Sequence, residues 1–395
     1  MAMGLALGMM VLLMSVAASE MKLEETMKGG KISARTWKDE NGATVTSPEG
    51  DAYITYHYSG SSVTEKYYTE DGQFCETLGG YASRTLTYGN KHRLTEVEYF
   101  GLDGKRKNNA AGYARVKMGY TSIGQVTHIY YYDENNNAVI PKGLEYASVV
   151  NTYRGSAVTS RAWAGINKKP VNLSAGYATM TQRVSKKNIP MEIKWEASDG
   201  SAVMCAAGWS ILDYDLDKQN RPVSARYLDG AGNPVNNSAG YAVEWMNYEG
   251  ESTVLISRTD AEGAAVPMGE SYETVRRETD AEGRLIRESY LKASGVPTIN
   301  AMGVYATHYG YDDQGRMVSV TLEDEEGNAM TGSEGWAGYL DTLDERGFLT
   351  SRLYLNEGDT PTQIAAGYTE IQYSRNEAGQ ITDTAYMNLD GNRVF

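Results

Sequence analysis

The tripeptide Gly-Tyr-Ala stands at Gly80-Tyr81-Ala82, Gly112-Tyr113-Ala114, Gly176-Tyr177-Ala178 and Gly240-Tyr241-Ala242, and degenerate copies fill the intervals. With the aromatic as position zero, the anchors are Tyr53, Tyr81, Tyr113, Tyr146, Tyr177, Trp209, Tyr241, Tyr272, Val304, Trp336 and Tyr368. The first step is 28 residues and the others lie between 31 and 33. At Val304 the frame is kept by Gly303 while the aromatic has slipped to Tyr305. A chain with such a period is not built around one globular core. Each repeat is a supersecondary unit that buries its apolar face only against its neighbours.

Three further rows keep the phase. A Gly follows eleven positions after the anchor at Gly124, Gly283, Gly315, Gly347 and Gly379. An aromatic follows at +18 in Tyr99, Tyr131, Trp195, Tyr227, Tyr290, Tyr354 and Tyr386. Another Gly follows at +23 in Gly104, Gly200, Gly232, Gly295, Gly327 and Gly391. Tyr67 and Gly72 join these rows once a four-residue deletion is allowed in the first copy. A smaller tyrosine row lies at +7 in Tyr88, Tyr120, Tyr153, Tyr248 and Tyr311. Trp37 and Asn41-Gly42 read as the second half of a degenerate leading copy.

Each repeat reads as two strands and two turns. In Asp280-Ala-Glu-Gly283, Asp312-Asp-Gln-Gly315 and Asp344-Glu-Arg-Gly347 the acidic residue caps its own turn, and the Gly supplies the positive φ that closes it. Alternating segments beginning at Leu285, Met317, Leu349 and Ile381 carry the period of two of a half-buried strand. No sustained i, i+3, i+4, i+7 apolar pattern occurs after the N-terminal segment. The expected fold is all-β, an elongated array of about eleven 32-residue β-hairpin repeats preceded by one N-terminal apolar helix. The organisation expected is a signal peptide or membrane anchor at 1–19, a linker at 20–30, a degenerate capping repeat at 31–52 and tandem hairpins over 53–395. Cys75 and Cys205 lie four repeats apart at different offsets, which predicts two free thiols.

The uncharged run Met3–Ala18 ends in small residues, as the apolar region and cleavage site of a secretory signal do. No basic residue precedes it, so an uncleaved anchor, the last span of a longer membrane protein and a buried helix are the alternatives. The membrane readings place the remaining chain outside the cytoplasm, secreted or anchored at the surface.

Composition narrows the function classes. Lys+Arg 37 against Asp+Glu 51 gives a net charge of −14, which opposes nucleic-acid binding. Two Cys and four His leave no disulfide framework and no multi-ligand zinc site. His57 and His308 share one offset but lie eight repeats apart, and His92 and His128 share none. No nucleophile elbow, phosphate loop or His-Glu-x-x-His motif is present. Asp213, Asp215 and Asp217 alternate as in a calcium loop, but Lys218 stands where that loop needs Gly. The expectation is therefore no catalytic residue, no metal and no cofactor. The +18 row, Tyr99, Tyr131, Trp195, Tyr227, Tyr290, Tyr354 and Tyr386, is the candidate binding feature, since a ladder of aromatic faces can stack sugar rings or hold cations. The opposing reading is a structural ladder in which the rings pack repeat against repeat.

The segment Tyr311-Asp312-Asp313-Gln314-Gly315-Arg316-Met317-Val318 resembles the Tyr-Asp (YD or RHS-type) repeat of bacterial surface and toxin-delivery proteins. Asp280-Ala-Glu-Gly283-Arg284-Leu285 and Asp344-Glu-Arg-Gly347-Phe348-Leu349 are further copies lacking the Tyr. The pairing of Gly-Trp or Gly-Tyr with later aromatics is also similar, less closely, to the aromatic-rich cell-wall-binding repeats of Gram-positive surface proteins. The resemblance implies a bacterial exported protein that binds or scaffolds. The functional expectation is a non-catalytic cell-surface scaffold or adhesive, glycan-binding module, partnered by cell-wall glycan or a surface protein. It meets membrane only through its N-terminal segment. The alternatives are a spacer of a larger RHS-like toxin-delivery or membrane protein, and an enzyme of cell-wall glycan metabolism with a pocket around residues 145–208.

Overall fold

A computed structural model describes residues 21–394 except Glu377. The N-terminal segment expected as a signal, anchor or apolar helix lies outside the described residues. Among those described, no helix is long and apolar enough to cross a membrane. They form 25 strands and one short 3-10 turn at Asn90–His92, so the all-β reading holds. Contacts divide the chain into two units. The first runs to Met180 and includes Ala197–Asp199, and the second comprises Thr181–Glu196 and Gly200 onward.

The first unit opens with three hairpins: β1 (Lys22–Lys28) with β2 (Lys31–Lys38), β3 (Tyr53–Ser59) with β4 (Ser62–Tyr68), and β5 (Ser83–Tyr88) with β6 (Leu94–Phe100). Each pairs antiparallel within itself and to the next, as β2 does with β3, and β4 with β5. The second unit repeats this scheme from the hairpin Ile211–Leu216/Pro222–Leu228 to Glu370–Arg375/Ile381–Met387. Residues 22–28, expected as linker, are thus a strand. Their alternation is hidden because all seven are exposed, leaving no apolar face to read.

A repeat has three turns rather than two. After β6 the chain reverses through Gly101–Lys105, makes one bridge between Phe100 and Arg106, and turns again before the next anchor. In that third turn the Asn109 amide donates to Tyr113 and the Gly112 amide to Asn109, with Gly112 at φ +85°. The position four before the anchor is Thr77, Asn109, Leu173, Cys205 or Asn237 in different repeats, so no side-chain signature marks it. These turns also stack on each other. The amides of Leu78 and Ala110 donate to the carbonyls of Glu49 and Gly79 one repeat earlier; in the second unit those of Ser333 and Ala365 do the same to Met302 and Glu334.

The Ala of Gly-Tyr-Ala has a backbone reason. The Ala82 amide donates to Phe100 in its own repeat, and its carbonyl accepts from Tyr67 in the preceding one. Ala114 and Ala242 make the same two bonds, and Ala52, Ala82, Ala114, Ala178 and Ala242 have no exposed surface. A larger side chain at this crossing point meets close-packed walls on every side.

The same bonds re-place the first anchor. Ala52 donates to Tyr68 and accepts from Trp37, Ser47 donates to Asp51, and Gly50 has φ +88°. Position zero of that repeat is therefore Asp51, two residues before Tyr53. The aromatic at +2 had masked a Gly-Asp-Ala copy of the tripeptide. On this frame the copy is two residues short, not four, and the deletion lies in the hairpin turn. Gly60-Ser61 alone joins β3 to β4, where five residues join β5 to β6.

Apolar side chains gather on one sheet face. In the second unit Val304, Val320, Leu322, Trp336, Tyr339, Tyr354, Ile364 and Ile371 form a continuous buried cluster. Cys75, partly buried in the first unit, and Cys205, buried in the second, are free thiols.

Candidate functional site

The +18 residues do not stand side by side as an open ladder. Within each unit they alternate with the anchors along a spine of rings. In the first unit the ring centroids run Tyr67–Tyr81 at 5.5 Å, Tyr81–Tyr99 at 4.8 Å, Tyr99–Tyr113 at 5.7 Å and Tyr113–Tyr131 at 5.1 Å. In the second, Trp195 meets Trp209, Tyr227 meets both Trp209 and Tyr241, and Tyr290 meets Tyr272. Tyr354 lies between Trp336 and Tyr368, and Tyr386 packs on Tyr368 at 4.9 Å. Most contacts are tilted or edge-to-face, the favoured geometry for aromatic quadrupoles. At some positions another side chain takes the place of a ring. Arg258 takes an aromatic's place with its guanidinium 4.3 Å from the Tyr241 centroid, and Val304 with Leu322 gives an aliphatic step.

All seven candidate binding residues belong to this spine. Tyr290 and Tyr354 are less than a tenth exposed. Burial pushes the Tyr131 and Tyr354 phenols up to about 12 and those of Tyr99 and Tyr227 upward as well, so these four rings are neutral and poorly hydrated. The ring faces lie against other rings of the chain, which is the structural-ladder arrangement.

The +7 tyrosines are the rows' other ordered use of a phenol. In Asp312-x-x-Gly315-Arg316 the Asp312 Oδ1 accepts from the amides of Gln314 and Arg316, and Oδ2 lies 2.7 Å from Arg316 Nε. The Arg316 backbone bond holds the Asp312 carboxyl below the usual carboxylate range. Asp280 and Asp217 hold Arg284 and Arg221 in the same way. The guanidiniums so fixed reach the next repeat: Arg284 lies 5.0 Å from the Tyr311 centroid and Arg221 3.9 Å from that of Tyr248. The hydroxyls of Tyr120, Tyr153 and Tyr311 donate to the carbonyls of Leu94, Val126 and Leu285 one repeat back, each at 2.7 Å. The Tyr-Asp motif is thus a clasp between repeats.

At the first three hairpins the clasp is incomplete. The turns Gly29-Gly30 and Gly60-Ser61 lack the residues that elsewhere supply the guanidinium. On the corrected frame Tyr58 is a +7 tyrosine, as Tyr88 is, and among the described residues neither hydroxyl makes a hydrogen bond. A groove of about 920 Å³ opens there, lined by Lys31, Arg35, Tyr56, Tyr58, Tyr88 and His92 among others. Its walls are partly neutralised. Arg35 pairs with Glu25 at 2.8 Å, and Glu65 is held by Arg84 at 2.5 Å and by the Tyr67 hydroxyl at 2.7 Å. Burial raises the Tyr56 phenol, which stays protonated. Lys31 has no carboxylate partner among the described residues and lies 4.8 Å from the Tyr58 centroid. The sequence reading missed this groove because its frame put Tyr58 outside the +7 row.

Other surfaces offer less. Asp213 and Asp215 are both bonded to Arg226, and Asp217 to Arg221, so the alternating carboxylates face guanidiniums. Among the described residues no group of three or more His, Cys, Asp or Glu is placed to hold a metal ion. The cavity bounded by Tyr130, Ala147 and Lys168 holds about 10 Å³, too little for a sugar.

No family model matches the chain, and no curated protein matches it. Among solved structures it is similar to a Tc holotoxin pore of Photorhabdus luminescens carrying a TccC3 mutation, with 15% identity, 88% of this chain and 21% of that chain covered, and a TM-score of 0.22. The TcdB2-TccC3 crystal structure gives 11% identity over 90% of this chain and 22% of that one, with a TM-score of 0.17. A porin-like protein from Bacteroides uniformis gives 10% identity over 84% and 92%, with a TM-score of 0.17. The chain spans about a fifth of the length of the first two.

Proposed function

We propose that this chain is a non-catalytic β-hairpin repeat scaffold, working outside the cytoplasm as an adhesive, glycan-binding module of the cell surface. One observation carries the reading. Along the repeats the +7 tyrosines Tyr120, Tyr153 and Tyr311 are tied to a neighbouring repeat, yet Tyr58 and Tyr88 are left facing an open groove. Open, lined by tyrosine rings and edged by Lys31 and Ser61, such a groove can stack sugar rings and meet their hydroxyls. Support for the non-catalytic half is chemical. The carboxylates nearest the groove, Glu25 and Glu65, are each engaged by an arginine of the chain itself rather than left free to work on a ligand.

The test is retention of the full chain on fractionated bacterial cell wall, with reducing ends assayed in the same tubes. Retention without release of reducing ends is the expected outcome. Release of sugar would overturn the non-catalytic reading, and failure to be retained on any fraction would leave the repeat as a spacer.

A further inference from the structure

We propose that the groove at the first three hairpins is a binding site for a saccharide bearing a carboxylate, with Tyr58 and Tyr88 contacting separate sugar rings of one chain and Lys31 pairing with the acid. This rests on the glycan-binding reading and names its ligand.

The clasp seen elsewhere in the chain defines what the groove lacks. At Tyr311 a guanidinium covers the ring and a carbonyl accepts from the hydroxyl. Tyr88 has neither. Its backbone amide is tied to the Ser61 carbonyl at 2.9 Å, so the residue is held in place while the hydroxyl keeps its donor and acceptor capacity. Tyr58 lacks the carbonyl, and its ring has a lysine in place of the arginine.

The spacing fits a linear chain of rings. Tyr58 lies on β3 and Tyr88 on β5, with β4 between them. Two strand spacings amount to about 10 Å across the sheet, the scale of a disaccharide. Ser61, in the turn that joins β3 to β4, borders the groove and offers a further hydroxyl partner.

Charge selects the acid. Arg35 and Glu65 on the walls are already paired with Glu25 and Arg84, which leaves Lys31 as the groove's unpaired cation among the described residues. A cationic peptide would meet Lys31 and Arg35 unfavourably, whereas a carboxylate gains a charge-assisted bond. The protein's net charge of −14 repels polyanions at long range, so binding depends on this local contact and is strongest at moderate salt.

Calorimetry on the full chain tests the site, with oligogalacturonate as the probe and its methyl ester as the neutral counterpart. The acid is expected to bind about tenfold more tightly than the ester, and Lys31→Met to remove that preference. The double variant Tyr58→Phe/Tyr88→Phe, which keeps both rings, is expected to weaken both probes about fivefold or more. Tyr120→Phe, whose hydroxyl is bonded within the chain, is expected to leave both unchanged. Equal affinity for acid and ester, affinity indifferent to Tyr58 and Tyr88, no binding of either probe, or a tighter fit to an arginine-rich peptide would each overturn the proposal. If wall retention persists in a variant carrying all three groove substitutions, the groove assignment fails while the adhesive reading stands; release of sugar fails the reading itself.

Discussion

The hydroxyl of Tyr311 donates to the carbonyl of Leu285, 26 residues earlier in the chain, while Arg284 lies across the same ring. One phenol is therefore gripped at its edge and its face by the preceding repeat. This makes the Tyr-Asp motif a coupling device between hairpins, and coupling can be measured.

Tyr311→Phe removes the edge contact and keeps the ring. It is expected to destabilise the protein by about 1 kcal/mol in denaturant titration. Arg284→Gln removes the face contact together with the Asp280 pair and is expected to lower the denaturation midpoint by less than Tyr311→Phe does. The two effects are expected to fall short of additivity in the double variant, since both act on one side chain.

Ala242 sits at a crossing point with no exposed surface, its amide and carbonyl both bonded. Ala242→Leu is expected to cost roughly 1–3 kcal/mol through overpacking. Ala281→Leu, on the exposed tip of a hairpin turn, should stay within about 0.5 kcal/mol. Equal effects in thermal unfolding would remove the backbone account of Gly-Tyr-Ala.

Two glycines separate conformational strain from crowding. Gly327 at φ +88° has open space around a would-be Cβ, whereas at Gly335, φ +86°, the same atom would lie 3.2 Å from the Ala365 amide nitrogen. That amide donates to Glu334 in the stacked-turn ladder. Gly327→Ala is expected to cost about 1 kcal/mol from backbone strain alone. Gly335→Ala should cost more and should speed hydrogen exchange at Ala365.

The spine sets an alkaline limit. Tyr131 and Tyr354 ionise near 12 when folded, because burial disfavours the phenolate, against about 10 in an unfolded chain. Folded values above unfolded ones mean that this stability is complete below pH 10 and is lost as pH rises from there through the folded values. The share of the phenolate absorbance that belongs to these buried rings is expected to lag until the far-ultraviolet dichroism collapses, between about pH 10 and 12. Titration of all the tyrosines near pH 10 with the fold intact would contradict burial of the Tyr131 and Tyr354 rings.

The repeat length, the hairpins and the turn glycines were legible in the sequence because each leaves a residue-type mark at fixed spacing. What rests on backbone bonds was not. The third turn has no favoured residue at its first position, and the strand at Lys22–Lys28 has no buried face. At the first repeat, Asp51 holds the anchor place through its carbonyl, while Tyr53 carries the ring that the eye follows. That two-residue misplacement hid Tyr58 from its row. The +18 row was visible as a row, but its interleaving with the anchors depends on strand pairing that spacing alone does not reveal.

The short turns at Gly29-Gly30 and Gly60-Ser61 leave the stitching at Ala52 and Ala82 untouched. Loop length and frame are therefore independent variables in this architecture. Trimming a hairpin tip releases its neighbour's tyrosine from the clasp, and restoring the tip would engage it again. A lineage of such proteins could move the uncovered tyrosine from repeat to repeat by insertions and deletions alone, without altering a strand.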